Sequence, residues 1–150
     1  MKKFAKIAIG SDHAGFALKE QLRRHLDAKG ISVVDCGTDS DQSTDYPDYA
    51  LHVAKLVGSN EVDAGVLICG TGIGMSMTAN KIRGVRAAVC VTTEMARLSR
   101  EHNNANILCL GARLTDEEAA FRILETWLNA DFLGGRHERR VNKIHSLTHC

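Results

Sequence analysis

Cys69 stands directly before Gly70-Thr71-Gly72-Ile73-Gly74, a junction that offers both a proton acceptor and an anion cradle. Glycines spaced Gly-x-Gly-x-Gly between an apolar run and a helix let backbone N–H groups approach a negatively charged group at the helix N-terminus. The same N–H dipoles favour a thiolate over a thiol, which makes Cys69 a candidate base or nucleophile. A cysteine that closes a buried strand is by itself more often an inert apolar residue, and glycine-rich turns also serve packing alone. The case for chemistry therefore rests on the neighbours.

Polar groups stand at the ends of other segments. Ser11-Asp12-His13 and Gly111-Ala112-Arg113 follow apolar runs, while His102 and Asn103 close a helical stretch. Asp12 alone could be a helix cap, but histidine is the side chain best suited to proton transfer near neutral pH, which brings His13 and His102 into consideration. Arg136 and Arg140 are four residues apart, so on a helix they share a face and could clamp a phosphate with forked donors. A solvated charged face, with Glu138 pairing a neighbouring arginine, is the plainer reading of that run. The glycine loop also resembles a dinucleotide turn without matching one. That fingerprint needs Gly-x-Gly-x-x-Gly and an acid about 20 positions later, for which Glu94 is only a loose candidate. A nucleotide-binding module in which Cys69 merely packs is thus the competing class.

For these residues to meet, the chain must supply elements whose ends lie side by side. Short β-branched runs alternate with longer segments of helical period, the pattern of parallel strands joined by crossover helices. Strands are expected at Lys6–Gly10, Ser32–Cys36, Gly65–Cys69, Arg86–Val91 and Ile107–Leu110, several of them continuously apolar, as strands covered on both faces must be. Leu18, Leu22 and Leu26 mark one amphipathic helix, and Ala120, Ile123, Leu124, Trp127 and Leu128 mark another. Thr115 with Glu118 matches a capping box, and Pro47 falls in the first turn of a helix through Ala50, Val53 and Ala54. Asp, Ser and Thr crowd Gly37 to Tyr46, which predicts a surface loop near the site. Ligands of open α/β sheets bind beyond the carboxyl ends of strands, so the polar groups named above are expected to converge on one edge.

Composition sets the outer bounds. A chain of 150 residues with 44% hydrophobic and 25% charged residues and a net charge of +1 suits one domain over 1–150, with no internal repeat or linker. No block of like charge suggests nucleic acid or an anionic membrane. Met1 to Gly10 holds three lysines but only a short apolar run, far below a span of about 20 residues, so a cytoplasmic protein is expected. Five cysteines without a Cys-x-x-Cys pair indicate neither a disulfide framework nor a zinc site.

The motifs Gly10-Ser11-Asp12-His13-Ala14-Gly15-Phe16, Thr44-Asp45-Tyr46-Pro47, Leu67-Ile68-Cys69-Gly70-Thr71-Gly72-Ile73-Gly74, Ala79-Asn80-Lys81, Arg86-Ala87, Leu98-Ser99-Arg100-Glu101-His102-Asn103 and Gly134-Gly135-Arg136-His137 run in order along nearly the whole chain. Together they resemble the B-type family of ribose-5-phosphate isomerases. The resemblance implies a three-layer αβα sandwich of Rossmann-like α/β class with a five-stranded parallel sheet. It further implies a homodimer with shared active sites, able to pair into a dimer of dimers. The implied reaction interconverts D-ribose 5-phosphate and D-ribulose 5-phosphate through an enediolate, with no metal or other cofactor, in the non-oxidative branch of the pentose phosphate pathway. By the same resemblance Cys69 moves the proton between C1 and C2, the Gly70, Gly72, Ile73 and Gly74 stretch of amides stabilises the enediolate, and Thr71 and His102 help open the furanose ring. Asp12 and Asn103 would contact sugar hydroxyls, while His13, Arg113, Arg136, His137 and Arg140 would hold the phosphate and Tyr46 would line the pocket. One branch of the family has a glutamate base where this chain has Met75, which makes the chain one of the cysteine type. Allose 6-phosphate and galactose 6-phosphate isomerases share the framework and stand as alternatives.

Overall fold

The computed structural model describes residues 3–150. The apolar runs form β1 (Lys6–Ser11), β2 (Ser32–Asp35), β3 (Ala64–Cys69), β4 (Ala87–Val89) and β5 (Ile107–Gly111), and the intervening segments form α1 (Phe16–Ala28), α2 (Tyr46–Gly58), α3 (Ile73–Ala79), α4 (Thr93–Glu101), α5 (Glu117–Asn129) and α6 (Arg136–Thr148). All strand pairs are parallel, in the order β2-β1-β3-β5-β4. This is the expected three-layer α/β sandwich.

The central strands alternate their side chains between two layers. Ile7, Ile9, Val66, Ile68, Leu108 and Leu110 face the stripe of α1 and α5, with Trp127 fully buried among them. Ala8, Leu67, Cys69, Ile107 and Cys109 face Val53 and Val57 of α2 and Met75 and Ala79 of α3. Burying each large aliphatic side chain contributes about 1.5–3 kcal/mol, so the two apolar layers fix the strand register firmly. Met75, at 0% exposure, belongs to this packing and offers no base.

The edge strands are shorter than their apolar runs. β4 forms at Ala87–Val89 rather than Arg86–Val91, because an edge strand has only one partner, although Cys90 N–H still donates to Cys109 O at 3.1 Å. The α5 cap also differs from expectation. Asp116, not Thr115, is the capping residue, its Oδ1 accepting from Ala119 N–H at 2.8 Å, while the Thr115 hydroxyl is buried without a partner. Pro47 does stand in the first turn of α2, and most of the loop from Gly37 to Tyr46 is exposed. No helix among the described residues is long and apolar enough to cross a membrane.

Asp116→Ala is expected to lower the unfolding free energy by about 1 kcal/mol. Thr115→Val, which removes an unpaired buried hydroxyl, is expected to stay within about 0.5 kcal/mol of the native protein or to stabilise it. Urea unfolding midpoints check both, and a larger loss from Thr115→Val would return the cap to Thr115.

Candidate active site

The carboxyl edge of the sheet gathers most of the candidate residues. β3 delivers Cys69 there at 5% exposure, and its Sγ accepts the Gly72 N–H at 3.1 Å. Gly72 makes this turn possible with φ 80°, a left-handed conformation that disfavours a side chain. The Thr71 Oγ1 accepts the Ile73 N–H at 3.2 Å. The loop is seated on the end of β5 by Ala112 N–H to Cys69 O at 2.8 Å and Arg113 N–H to Gly70 O at 3.0 Å. A Cβ on Gly111 would lie 2.7 Å from the Thr71 carbonyl, so only glycine lets the loop settle there.

Flanking groups close around this loop. The Arg113 guanidinium runs against Gly70, and the Tyr46 ring covers Gly74 so closely that a Cβ there would meet it at 2.5 Å. Asp12 Oδ1 accepts from Ala14 N–H at 3.0 Å and Gly15 N–H at 3.2 Å, so the cap reading of this carboxylate is realised at the same edge. His13 Nδ1 accepts the Thr44 N–H at 3.1 Å, which places the proton of the neutral ring on Nε2. Thr44 belongs to a recognised motif but had no assigned role, because a backbone N–H contact 31 residues away leaves no mark on side-chain type.

His102, Asn103, Arg136, His137 and Arg140 do not join that edge. α4 runs back along the sheet, and the loop after it ends at Asn106, whose carbonyl accepts from Gly65 N–H at 2.9 Å, at the start of β3. Cys69 lies four residues further along the same strand, about 13 Å at 3.3 Å per residue. The expected convergence of all polar groups on one edge therefore fails: a residue that closes a crossover helix sits at the amino edge. There His102 stacks on His137 with ring centroids 4.2 Å apart and planes within 8°. The α6 helix starts after two left-handed glycines, Gly134 and Gly135, and presents Arg136, His137 and Arg140 from its first turns. Desolvation, followed by the positive charges of His102, Arg136 and Arg140, holds the His137 imidazole below its ordinary range. Two arginines beside two imidazoles suit a phosphate dianion.

Residues 7–144 match the family described as Ribose/Galactose Isomerase. The chain belongs to this ribose/galactose isomerase family. It is 49% identical over 142 residues to ribose-5-phosphate isomerase B of Escherichia coli (strain K12), covering 95% of each chain. Among solved structures it resembles ribose-5-phosphate isomerase B of Clostridium thermocellum at 52% identity and TM-score 0.95, covering 96% of this chain and 97% of that one. It is also similar to the enzyme from Mycoplasma genitalium with bound ribulose-5-phosphate, at 45% identity and TM-score 0.93, covering 96% of both.

Within a ribose/galactose isomerase of this geometry the five cysteines divide by environment. Burial, with the Asp35 charge adding to it, pushes the Cys36 thiol up to about 11. Burial also raises Cys90, and raises Cys109 well above the ordinary thiol value. Cys69 differs in contacting a backbone N–H at the glycine loop. Among the described residues, no cluster of three or more His, Cys, Asp or Glu could hold a metal ion.

Alkylation of the folded protein at pH 8 should therefore fall on Cys69 and on the half-exposed Cys150, leaving Cys36, Cys90 and Cys109 unmodified until unfolding. Exposure does not distinguish Cys36, at 7%, from Cys69, at 5%, so the test reads the raised Cys36 thiol against the Cys69 contact with the glycine loop. Peptide mapping that finds Cys36 labelled before Cys69 would contradict it.

Proposed function

We propose that this chain is an aldose-ketose isomerase acting on D-ribose 5-phosphate and D-ribulose 5-phosphate, as a single domain over residues 1–150. The observation that carries this reading is the Cys69 thiol held on the Gly72 N–H at 3.1 Å, at the mouth of a glycine loop. Cys69 takes the C2 proton of the ring-opened aldose, and the electron pair left behind forms the enediolate. Return of that proton to C1, with the O2 hydroxyl proton passing to O1, forms the C2 carbonyl and yields the ketose, so the reaction balances without an external oxidant or reductant. Backbone N–H groups of the Gly70–Gly74 loop stabilise charge where it develops on the enediolate oxygens. An oxygen that takes the Ile73 N–H displaces the Thr71 hydroxyl, which is then available to the sugar during ring opening.

The remaining roles follow from the two edges. Asp12 faces sugar hydroxyls beside the loop, Tyr46 lines the pocket, and His13 and Arg113 reach the phosphate through Nε2–H and the guanidinium. His102, Asn103, Arg136, His137 and Arg140 belong to a separate half-site at the amino edge of the same chain. A two-fold homodimer supports both halves: the amino edge of one protomer meets the carboxyl edge of its partner, and symmetry makes two such composite sites. His102 then assists ring opening, Asn103 binds sugar hydroxyls, and the two arginines with His137 complete the phosphate site. Further pairing into a dimer of dimers, action in the cytoplasm and a place in the non-oxidative pentose phosphate branch fit this reading. The family description names galactose as well as ribose, which keeps six-carbon sugar phosphates as the second reading.

Parallel assays with ribose 5-phosphate and allose 6-phosphate should give ketose chiefly from the former, and turnover of neither would refute the isomerase. Cys69→Ala should lower kcat by about 10²–10⁴-fold with a modest change in KM, while Arg140→Ala should chiefly raise KM. Mixing Cys69→Ala with His102→Ala chains should restore about a quarter of native activity, because half the dimers are mixed and half of their sites are intact. Differently tagged chains establish that mixed dimers form. Activity that stays at the single-mutant level in such dimers would place both residues in one chain's site.

A further inference from the structure

The helix that carries the phosphate arginines is thinly attached. Of the 13 residues of α6 only Val141 is buried. Among the described residues, the one hydrogen bond between a side chain of α6 and a side chain outside it joins His145 Nε2 to Arg86 Nη1, at 2.9 Å. His145 Nδ1 lies 2.7 Å from the Cys150 carbonyl, which can only accept, so the ring proton is on Nδ1 and Nε2 accepts from the guanidinium.

Arg86 in turn holds the loop behind His102 and Asn103. Its Nε donates to Asn104 O at 2.8 Å, Nη1 reaches Gly84 O at 3.5 Å, and its backbone N–H donates to Asn106 Oδ1 at 2.7 Å. Asn104 has φ 47°, a left-handed conformation that a non-glycine residue keeps only when its surroundings impose it. Arg86 is itself steadied from β4, where Asn80 and Ala87 exchange hydrogen bonds of 2.8 and 3.0 Å. The motifs Ala79-Asn80-Lys81 and Arg86-Ala87 thereby acquire a purpose that no contact with substrate explains. No carboxylate pairs with Arg86 among the described residues, and its donors go to carbonyls and an imidazole instead.

Resting on the isomerase reading above, we infer that Arg86 and His145 are positioning residues of the phosphate half-site. Arg86 fixes the His102–Asn103 loop and, through His145, the helix bearing Arg136, His137 and Arg140. The α6 helix is then held to one loop at two points: His137 stacks on His102 near its start, and His145 is latched through Arg86 near its end. Freedom at the second point lets the arginines swing away from the phosphate, and displacements of about 1 Å are enough to matter in such sites. Lysine cannot replace Arg86, because a single ammonium does not span carbonyl and imidazole in one plane.

The test measures binding of inorganic phosphate by titration calorimetry beside steady-state kinetics with ribose 5-phosphate. His145→Ala, at a half-exposed position, should fold normally by circular dichroism and weaken phosphate binding about tenfold, with KM rising in parallel and kcat within about threefold of native. His145→Gln, whose amide oxygen can accept from Arg86, should recover most of the loss, and Arg86→Lys should reproduce the His145→Ala phenotype. Adding Arg140→Ala to His145→Ala should cost less than Arg140→Ala costs in the native protein, since both act on one site. Unchanged phosphate affinity in His145→Ala, or a fall in kcat alone at native KM, overturns the inference. A native protein that binds phosphate yet turns over no ribose 5-phosphate would instead refute the isomerase reading and leave the latch measurable by calorimetry. A native protein that binds no phosphate would overturn both.

Discussion

In a sheet whose strands are all parallel, every crossover helix must travel back, so residues that follow strands and residues that follow helices emerge on opposite edges. That polarity governs this molecule. Cys69, the glycine loop, Asp12, His13 and Arg113 follow strands, whereas His102 and Asn103 follow α4 and Asn106 is anchored beside Gly65 at the start of β3. No local adjustment can bring the two groups together in one chain, because the strands between them form the most deeply buried part of the core. A composite site between two protomers is the arrangement that this constraint favours.

The two half-sites prepare for charge in different ways. At the carboxyl edge the loop is fitted by the absence of side chains: Gly111 admits the Thr71 carbonyl, Gly72 turns left-handed, and Gly74 receives the Tyr46 ring. Donors fixed in this way need little reorganisation when an enediolate forms. At the amino edge His102, Arg136, His137 and Arg140 are gathered together, and desolvation, with neighbouring positive charge adding to it, depresses the proton affinity of His137. In the function proposed above, a phosphate dianion bound there would supply binding energy far from the reacting carbons, where it can position C1 and C2.

Much of this was legible in residue types. Continuous apolar runs gave strands and strand ends, and through them the Cys69 loop, Asp12, His13 and Arg113, because burial on both faces leaves a plain compositional trace. The edge of the sheet to which His102 belongs was not legible from its polarity alone, since a histidine closing a helix looks the same at either edge. Thr115 imitated a cap because Thr-x-x-Glu and the neighbouring Asp116 satisfy overlapping patterns, and the backbone geometry of Asp116 decided between them. Arg86 stayed silent for a different reason. Asn104 and Gly84 are reached through backbone carbonyls that any sequence could supply, and His145 lies 59 residues further along the chain.

The composite site proposed above, with the base and part of the phosphate grip on different chains, has a consequence for substrate length. The span from C1 to the phosphate is fixed in a sugar of given carbon number, and in the two-fold dimer proposed above the matching span runs from Cys69 of one protomer to α6 of its partner. Substitutions inside the glycine loop would alter the chemistry at C1 and C2, but they would leave that span untouched. A change in the seating of α6 would lengthen or shorten it while sparing every group near Cys69. In that proposed dimer the seating of α6 would bear on selectivity between five- and six-carbon substrates, together with His13 and Arg113 at the other edge, and the Arg86–His145 contact lies on that element. In the proposed dimer the sheet's polarity would thus leave proton transfer to the carboxyl edge and divide the grip on the phosphate between the two edges.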